Sequence, residues 1–467
     1  MSRIRLDQLE NSAAANKVIK TNASGVPEYQ DDATGGASTA WDLDGNSVPD
    51  ATKFLGTTTD FDLVFKRNSV EAGRLNEVDE LTFFGVNAGA GNTGSGVTAT
   101  GVSAAQNNTG FSVTATGNGA AQNNTGGTVT ATGISAAFGN TGFIVTATGS
   151  SAALNNTGNN VTATGVNAGA GNTGSNVTAT GDGAAFGNTG SNVVATGFNA
   201  AQNNTGVSVT ATGDGAANAN TGANVTATGA SAARDNTGSG ITATGNSTAR
   251  DNTGNNVTAT GNGAAQNNTG DNVTATGNGA AQNNTGSGVI ATGNGAAFAN
   301  TGNNVTATGN STAQNNIGDN VTATGNGAAQ NNTGSGVIAT GNGAARDNTG
   351  NNVTATGANA AFTNTGSNVI VIGSQTIAAN TFSNVTIIGH FTQATKADSI
   401  VFDITQRMGL GTTAPRARLE VVKLGADLTP AIISGCGTYA DDTAAGVAGL
   451  TTDMIYKDAS GFLKIKI

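Results

Sequence analysis

Apolar and polar residues alternate in short stretches that recur every sixteen residues through the middle of the chain. Val97 begins a series at this interval that ends at Val385, in which Ile241 is the only substitute. Within the stretch Val97–Gly101, which reads V-T-A-T-G, successive side chains of a strand would point to opposite faces. The pattern predicts a strand that buries Val97 and Ala99 and exposes the two threonines.

The period of the repeat selects the kind of fold. Sixteen residues are too few for a helical-hairpin repeat, which needs about 33 to 47, but they suit one coil of a β-solenoid. The pair Asn118-Gly119 accepts positive φ, as a tight corner requires. The segment 120–126 is predicted to be a second short extended segment, so that each coil would hold two strands joined by two glycine-bearing turns. We therefore expect an all-β fold, a parallel β-solenoid or β-roll.

Composition shifts along the chain divide it into five segments. Most charged residues lie outside the repeats, where the sequence resembles ordinary globular protein. The expected segments are an N-terminal attachment segment (1–40), a small β adaptor or cap (41–84), the repeat shaft (85–390), a capping segment (391–407) and a C-terminal β tip (408–467).

Two residue types, asparagine and glycine, recur at fixed positions of the repeat. An unbroken asparagine column predicts a structural ladder in which each amide bonds the copies above and below it; its first members are Asn92, Asn108, Asn124, Asn140 and Asn156. Two glycine columns predict the turns; they begin with Gly85, Gly101 and Gly117 and with Gly94 and Gly110. By contrast, one column exchanges Gln106, Phe138 and Arg234 and is expected to face outwards, because a packed interior would not tolerate such changes.

The core of one coil is thin. One valine and about three alanines per coil give little burial against an ordering cost of about 1.5 kcal/mol per residue. If one face of each coil stayed in water, burial at about 25 cal/mol per Å² would hardly offset that cost. We therefore expect identical chains to shield one another, as a homotrimeric fibre.

Composition excludes several functional classes. Only 10% of the 467 residues are charged, against roughly 25% in ordinary domains. The net charge of −10, the single cysteine Cys436 and the single histidine His390 argue against nucleic-acid binding, disulfides and the common catalytic units. Asp182 and Asp214 lie two coils apart, about 10 Å, which is a poor fit for paired catalytic carboxylates. We expect no enzyme activity, no cofactor, no metal and, with no apolar run of about 20 residues, no membrane insertion.

Three stretches resemble a known kind of protein. Gly409–Val421 is similar to the G-I-G-T-T-x-P-x-x-x-L-x-V element of phage tail-fibre and related adhesin chains. Trp41–Asn68 resembles the W-x-L-x-G-N … F-x-G-T-T … L-V-F-K-x-N segment of the same proteins. Phe84–Gly94 resembles their I-G-x-N-A-G-x-N-N-T-G repeats and, more distantly, the β-roll heads of trimeric autotransporter adhesins.

The resemblance implies a trimeric fibre attached to a bacteriophage virion, on the tail or on the capsid, that contacts a host glycan or protein. Its N-terminus would dock to virion proteins through Arg3, Ile4, Arg5, Leu6 and Leu9, where a short apolar pattern lies beside two basic residues. We expect no secretory signal, because the first ten residues contain no apolar h-region. Such a fibre would then be made in the host cytoplasm and displayed on the virion surface. Two features of the family are missing after Val421: a chaperone domain, and a coiled-coil stalk with a membrane anchor.

Two other functions remain open. Thr-x-Thr recurs in most coils, as in several ice-binding solenoids, although the substitutions at 194, 290 and 338 interrupt the array. A bacterial surface adhesin is the second alternative, against which the missing stalk and anchor count.

Overall fold

The computed structural model describes residues 17–21, 24, 27–31, 61–76, 79–375, 381–390, 392, 394–402, 408–410, 419–421, 455–457 and 463–465. Within these residues the regular structure is entirely β, with no helix. The strands, numbered in chain order, are β1 Lys17–Thr21, β2 Pro27–Asp31, β3 Leu63–Arg67, β4 Val70–Asn76, β5 Leu81–Phe84, β6 Val97–Thr100, β7 Val113–Thr116, β8 Val129–Thr132, β9 Val145–Thr148, β10 Val161–Thr164, β11 Val177–Thr180, β12 Val193–Thr196, β13 Val209–Thr212, β14 Val225–Thr228, β15 Ile241–Thr244, β16 Val257–Thr260, β17 Val273–Thr276, β18 Ile290–Thr292, β19 Val305–Thr308, β20 Val321–Thr324, β21 Val337–Thr340, β22 Val353–Thr356, β23 Val369–Ile372, β24 Val385–Ile388, β25 Ser399–Phe402, β26 Met408–Leu410, β27 Leu419–Val421, β28 Ile455–Lys457 and β29 Leu463–Ile465.

The chain divides into two units, Met1–Phe61 and Asp62–Ile467. The first contains the antiparallel pair β1–β2. In the second, β3 pairs with β4 and β4 with β5, both antiparallel. Further along the second unit, β26 pairs with β27 in parallel, and β28 with β29 in an antiparallel hairpin.

The repeats build one continuous parallel ladder. From β5 to β24 each strand pairs with the next, and partner residues are sixteen positions apart, as Val97 is from Val113. β25 follows β24 in parallel. At about 4.8 Å per strand the ladder from β5 to β24 extends roughly 90 Å. The predicted parallel β-solenoid of sixteen-residue coils is confirmed.

Burial alternates along each strand as the sequence pattern predicts. In β6 the side chains of Val97 and Ala99 are buried, with an exposed fraction of 0%, and Thr98 and Thr100 are exposed. The same alternation recurs through the repeats, so the threonines form one outer surface of the sheet.

The other half of each coil is not a strand, and the prediction of a second extended segment is wrong. It is a series of turns in which every second residue has positive φ, as Ser103 (55°), Ala105 (51°) and Asn107 (54°) show. The N–H of Ala105 donates to the Ala120 carbonyl one coil later, and the N–H of Asn107 donates to the Ala90 carbonyl one coil earlier, both at 2.8 Å. Hydrogen bonds to both neighbouring coils thus hold a backbone conformation that costs an isolated L-residue about 1–2 kcal/mol.

One chain encloses its own core. Val97, Ala99, Ala104 and Ala105 each have an exposed fraction of 0% in the isolated chain. Close turns and small side chains let the turn half of the coil lie directly against the inner face of the sheet. Although the outer threonine surface is exposed, burial of this core does not by itself require a second copy.

Candidate functional site

The asparagine column lies inside the solenoid. Asn108 is completely buried, and its Nδ2 donates both to Oδ1 of Asn92 and to the carbonyl of Gly110, each at 2.8 Å. Asn124 repeats the arrangement one coil later, with both distances at 2.7 Å. Asn140 and Asn156 continue it in the next two coils. The amides are saturated by one another and by the main chain, so the column can stabilise the stack but has no group directed at a ligand.

The two glycine columns lie where neighbouring coils touch. Gly101 has φ of +134°, and a Cβ there would come within 3.2 Å of the Gly117 Cα and closer still to its carbonyl; Gly85 and Gly117 are equivalent. Gly110 has no positive φ, but a Cβ on it would lie 2.6 Å from Nδ2 of Asn124. Gly94 is equivalent. These positions admit no side chain because the coils approach each other through their backbones.

The surface of the sheet presents threonine in two parallel columns. The column that begins at Thr100 is unbroken to Thr356, and Thr180 is one of its exposed members. The column that begins at Thr98 is interrupted by exposed residues with aliphatic side chains, which are Val194, Ile290, Ile338 and Ile370. Threonine side chains, each with a hydroxyl and a methyl group, therefore recur in register over this surface, which we call the strand face.

Two further columns border the strand face. For β6 to β24 we call the residue two positions before the buried residue of the Val97 column the leading-edge residue, as Ser95 is before Val97, and the residue two positions after the strand the trailing-edge residue, as Val102 is after Thr100. In the coils up to β13, exposed apolar side chains occupy many of these positions. They are Phe111, Phe143 and Val207 on the leading edge and Val102, Ile134, Val166 and Phe198 on the trailing edge.

From β14 to β24 the leading edge is polar, apart from Ala223. Each leading-edge N–H there donates to a side-chain oxygen one coil later, as Asn255 does to Asp271 Oδ1 at 2.7 Å and Ser287 to Asn303 Oδ1 at 2.9 Å. This run of bonds is continuous from Ala223 to Ser383. The two ends of the shaft therefore differ in surface chemistry.

The variable column lies at the surface, and the arginines of the shaft lie beside aspartates. Gln106 and Phe138 are half-buried at the surface. Arg234 and Arg250 each lie 3.2 Å from the aspartate that follows them in sequence, and these exposed pairs neutralise one another. Among the described residues, no group of three or more His, Cys, Asp or Glu side chains is placed to hold a metal ion.

A cavity of about 320 Å³ lies beside the first coil, lined by Arg74, Phe83, Asn87 and other residues. Arg74 donates to Glu71 at 2.8 Å and to Asp62 at 2.7 Å. The hydrogen bond from Arg74 holds the pKa of the Glu71 carboxyl below its ordinary value. The guanidinium is thus engaged by two carboxylates of the chain itself.

The residues predicted to attach the chain to a virion lie outside the described residues; they are Arg3, Ile4, Arg5, Leu6 and Leu9. The edge columns were missed at the sequence level, although aligning the coils on their glycines would have displayed them.

Comparison with protein-family models, with curated proteins and with solved structures finds no match. Within the described residues there is no long apolar helix of the kind that crosses a bilayer.

Proposed function

We propose that the chain is a structural and adhesive fibre of a bacteriophage virion, on the tail or the capsid, that holds a C-terminal tip for attachment to the host surface. The observation that carries the proposal is the unbroken, in-register ladder from β5 to β24. Continuous axial hydrogen bonding makes such a shaft a stiff spacer, and the resemblance of segments 41–68 and 409–421 to tail-fibre chains supplies the context.

In this proposal the fibre is a homotrimer on the virion surface. Its N-terminal segment binds virion proteins, and its tip binds a host glycan or protein. Three copies of the tip would strengthen weak contacts through avidity.

The test uses antibodies against the intact chain and virions of the phage that encodes it. We expect immunogold label at the particle periphery, and we expect pre-incubation of host cells with purified chain to reduce phage adsorption by about tenfold through occupied receptors. An antibody against a virion-internal protein is the control. Unlabelled virions together with undiminished adsorption would contradict the proposal.

Ice binding is the second candidate, favoured by one observation, the exposed threonine columns of the strand face. Repeated hydroxyl and methyl groups about 4.8 Å apart offer a regular surface of the kind a crystal lattice could match. Under the fibre proposal we expect no thermal hysteresis from the folded chain.

Two variants make that measurement decisive. Thr180→Tyr places a bulky ring on the strand face, and Thr173→Tyr places it on an exposed column elsewhere on the coil. Hysteresis in the wild-type chain that is lost in Thr180→Tyr but kept in Thr173→Tyr would favour ice binding over the fibre.

A further inference from the structure

Large and small side chains alternate on the two edges of the strand face. At β7 the leading edge carries Phe111 and the trailing edge Asn118; at β8 the order reverses, with Gly127 leading and Ile134 trailing. From β6 to β13 the leading and trailing residues are Ser95 and Val102, Phe111 and Asn118, Gly127 and Ile134, Phe143 and Ser150, Asn159 and Val166, Ser175 and Asp182, Ser191 and Phe198, and Val207 and Asp214. No strand of this stretch has a large apolar residue on both edges.

These apolar side chains are exposed in the isolated chain. Ile134 has an exposed fraction of 62% and Phe111 one of 51%. The rings of Phe111 and Phe143 lie 6.3 Å apart between centroids, on either side of Gly127. Exposed apolar side chains grouped along one surface in this way are typical of surfaces that bind another protein.

We propose that the strand face from β6 to β13 is the surface through which copies of this chain associate side by side, parallel and in register. An axis parallel to the shaft brings the leading edge of one copy against the trailing edge of the next at the same height. Phe111 then enters the space between Val102 and Ile134 of the neighbouring copy, above its smaller Asn118. Phe143 enters between Ile134 and Val166 in the same way. That the copies number three rests on the proposed fibre.

The size of the face fits this occupant. Eight strands at about 4.8 Å and a width of about 20 Å give roughly 770 Å² per copy, close to the roughly 800 Å² that each partner buries in a standard stable interface. The phenylalanines along its edges belong to the aromatic residues that are enriched in protein–protein interfaces. The occupant is a second copy because the same chain supplies both the large residues and the small ones opposite them.

The later coils lack this pattern. From Asn246 to Asn342 the trailing edge is asparagine in every coil, and the leading-edge residues of the same coils, from Ser239 to Ser335, are all serine, asparagine or aspartate. Association is therefore confined to the N-terminal half of the shaft.

Replacing the large apolar residues of the trailing edge tests the proposal. In the full-length variant carrying Val102→Asn, Ile134→Asn, Val166→Asn and Phe198→Asn, each position receives the residue that the later coils already accept. We expect wild-type chain to sediment as an oligomer and the variant as a monomer. The dissociation constant of the variant should be roughly 100-fold larger, and its circular dichroism should be unchanged. The control carries Ile290→Thr, Ile317→Thr and Ile338→Thr, which remove exposed apolar area in the later coils, and should stay oligomeric.

Register is tested by cross-linking in a Cys436→Ser background. Ser175→Cys with Asp182→Cys places thiols on the two edges of β11, too far apart across the strand to bond within one chain. We expect disulfides between chains on oxidation, and none from the control Asn303→Cys with Asn310→Cys on the two edges of β19.

The outcomes separate this inference from the fibre proposal. A variant with four asparagines that remains as oligomeric as wild type, or chains that fail to cross-link at β11, would overturn the interface and leave the fibre standing. Monomeric wild-type chain would overturn the interface and the homotrimer together, while virion labelling tests the fibre independently.

Discussion

Replacing Gly190 by alanine is expected to destabilise the solenoid by about 3 kcal/mol or more. A Cβ at this position would lie 2.8 Å from the carbonyl carbon of Gly206 and nearer still to its oxygen. The clash is with the backbone of the next coil, which hydrogen bonds hold in place. A change of side-chain rotamer therefore cannot relieve it. Thermal unfolding followed by circular dichroism measures the effect, and hydrogen exchange should show it concentrated in β12 and β13.

Gly215→Ser is the matched control. Gly215 has φ of +59°, and the nearest atom to its built Cβ is Oγ of Ser231 at 3.8 Å. Ser231 occupies the same position in the next coil, also with positive φ. The control should therefore unfold close to wild type. If Gly190→Ala were as stable as Gly215→Ser, the coils could move apart at Gly190, and their close approach would not require glycine there.

Replacing Asn204 by alanine is expected to cost about 3 kcal/mol or more, because each buried partner left without a hydrogen bond costs about 1–3 kcal/mol. Asn204 is completely buried. Its Nδ2 donates to Oδ1 of Asn188 and to the carbonyl of Gly206, and its Oδ1 accepts from Nδ2 of Asn220, all at 2.8 Å. Urea titration would measure the loss, and the damage should extend to the coils on both sides.

The neighbouring residue provides the control for this substitution. Asn203 is exposed, and its counterpart one coil later is Ala219, which has the same sign of φ. Asn203→Ala should therefore change stability by no more than about 0.5 kcal/mol. If Asn204→Ala were equally mild, buried water or local relaxation would be satisfying the hydrogen-bonding groups left by the missing amide. The inference that the asparagine ladder stabilises the solenoid would then be wrong.

The strand half of each coil was predictable because it follows a simple period. Val97 and Ala99 alternate with threonines, and alternation determines which side of a strand is buried. The turn half was mispredicted because Ala105 has positive φ, which alanine does not favour and which hydrogen bonds to neighbouring coils maintain. Once that half is a close-packed turn, Ala104 and Ala105 suffice to fill the interior.

The strand face was only partly visible in the sequence. Its threonine columns follow directly from the repeat, and so do the interruptions at Ile290 and Ile338. The alternation of Phe111 with Gly127, and of Val102 with Asn118, involves two coils and two sides of a strand at once. Aligning the coils displays both columns, and the structure adds that they border the same strand.

Because each coil bonds only to the coil before it and the coil after it, the shaft has no fixed number of units. Gain or loss of one sixteen-codon segment by recombination between such similar stretches of the gene would lengthen or shorten it by about 4.8 Å and leave every remaining contact intact. The length of the shaft can therefore evolve in small, equal increments, independently of the sequences at either end of the chain.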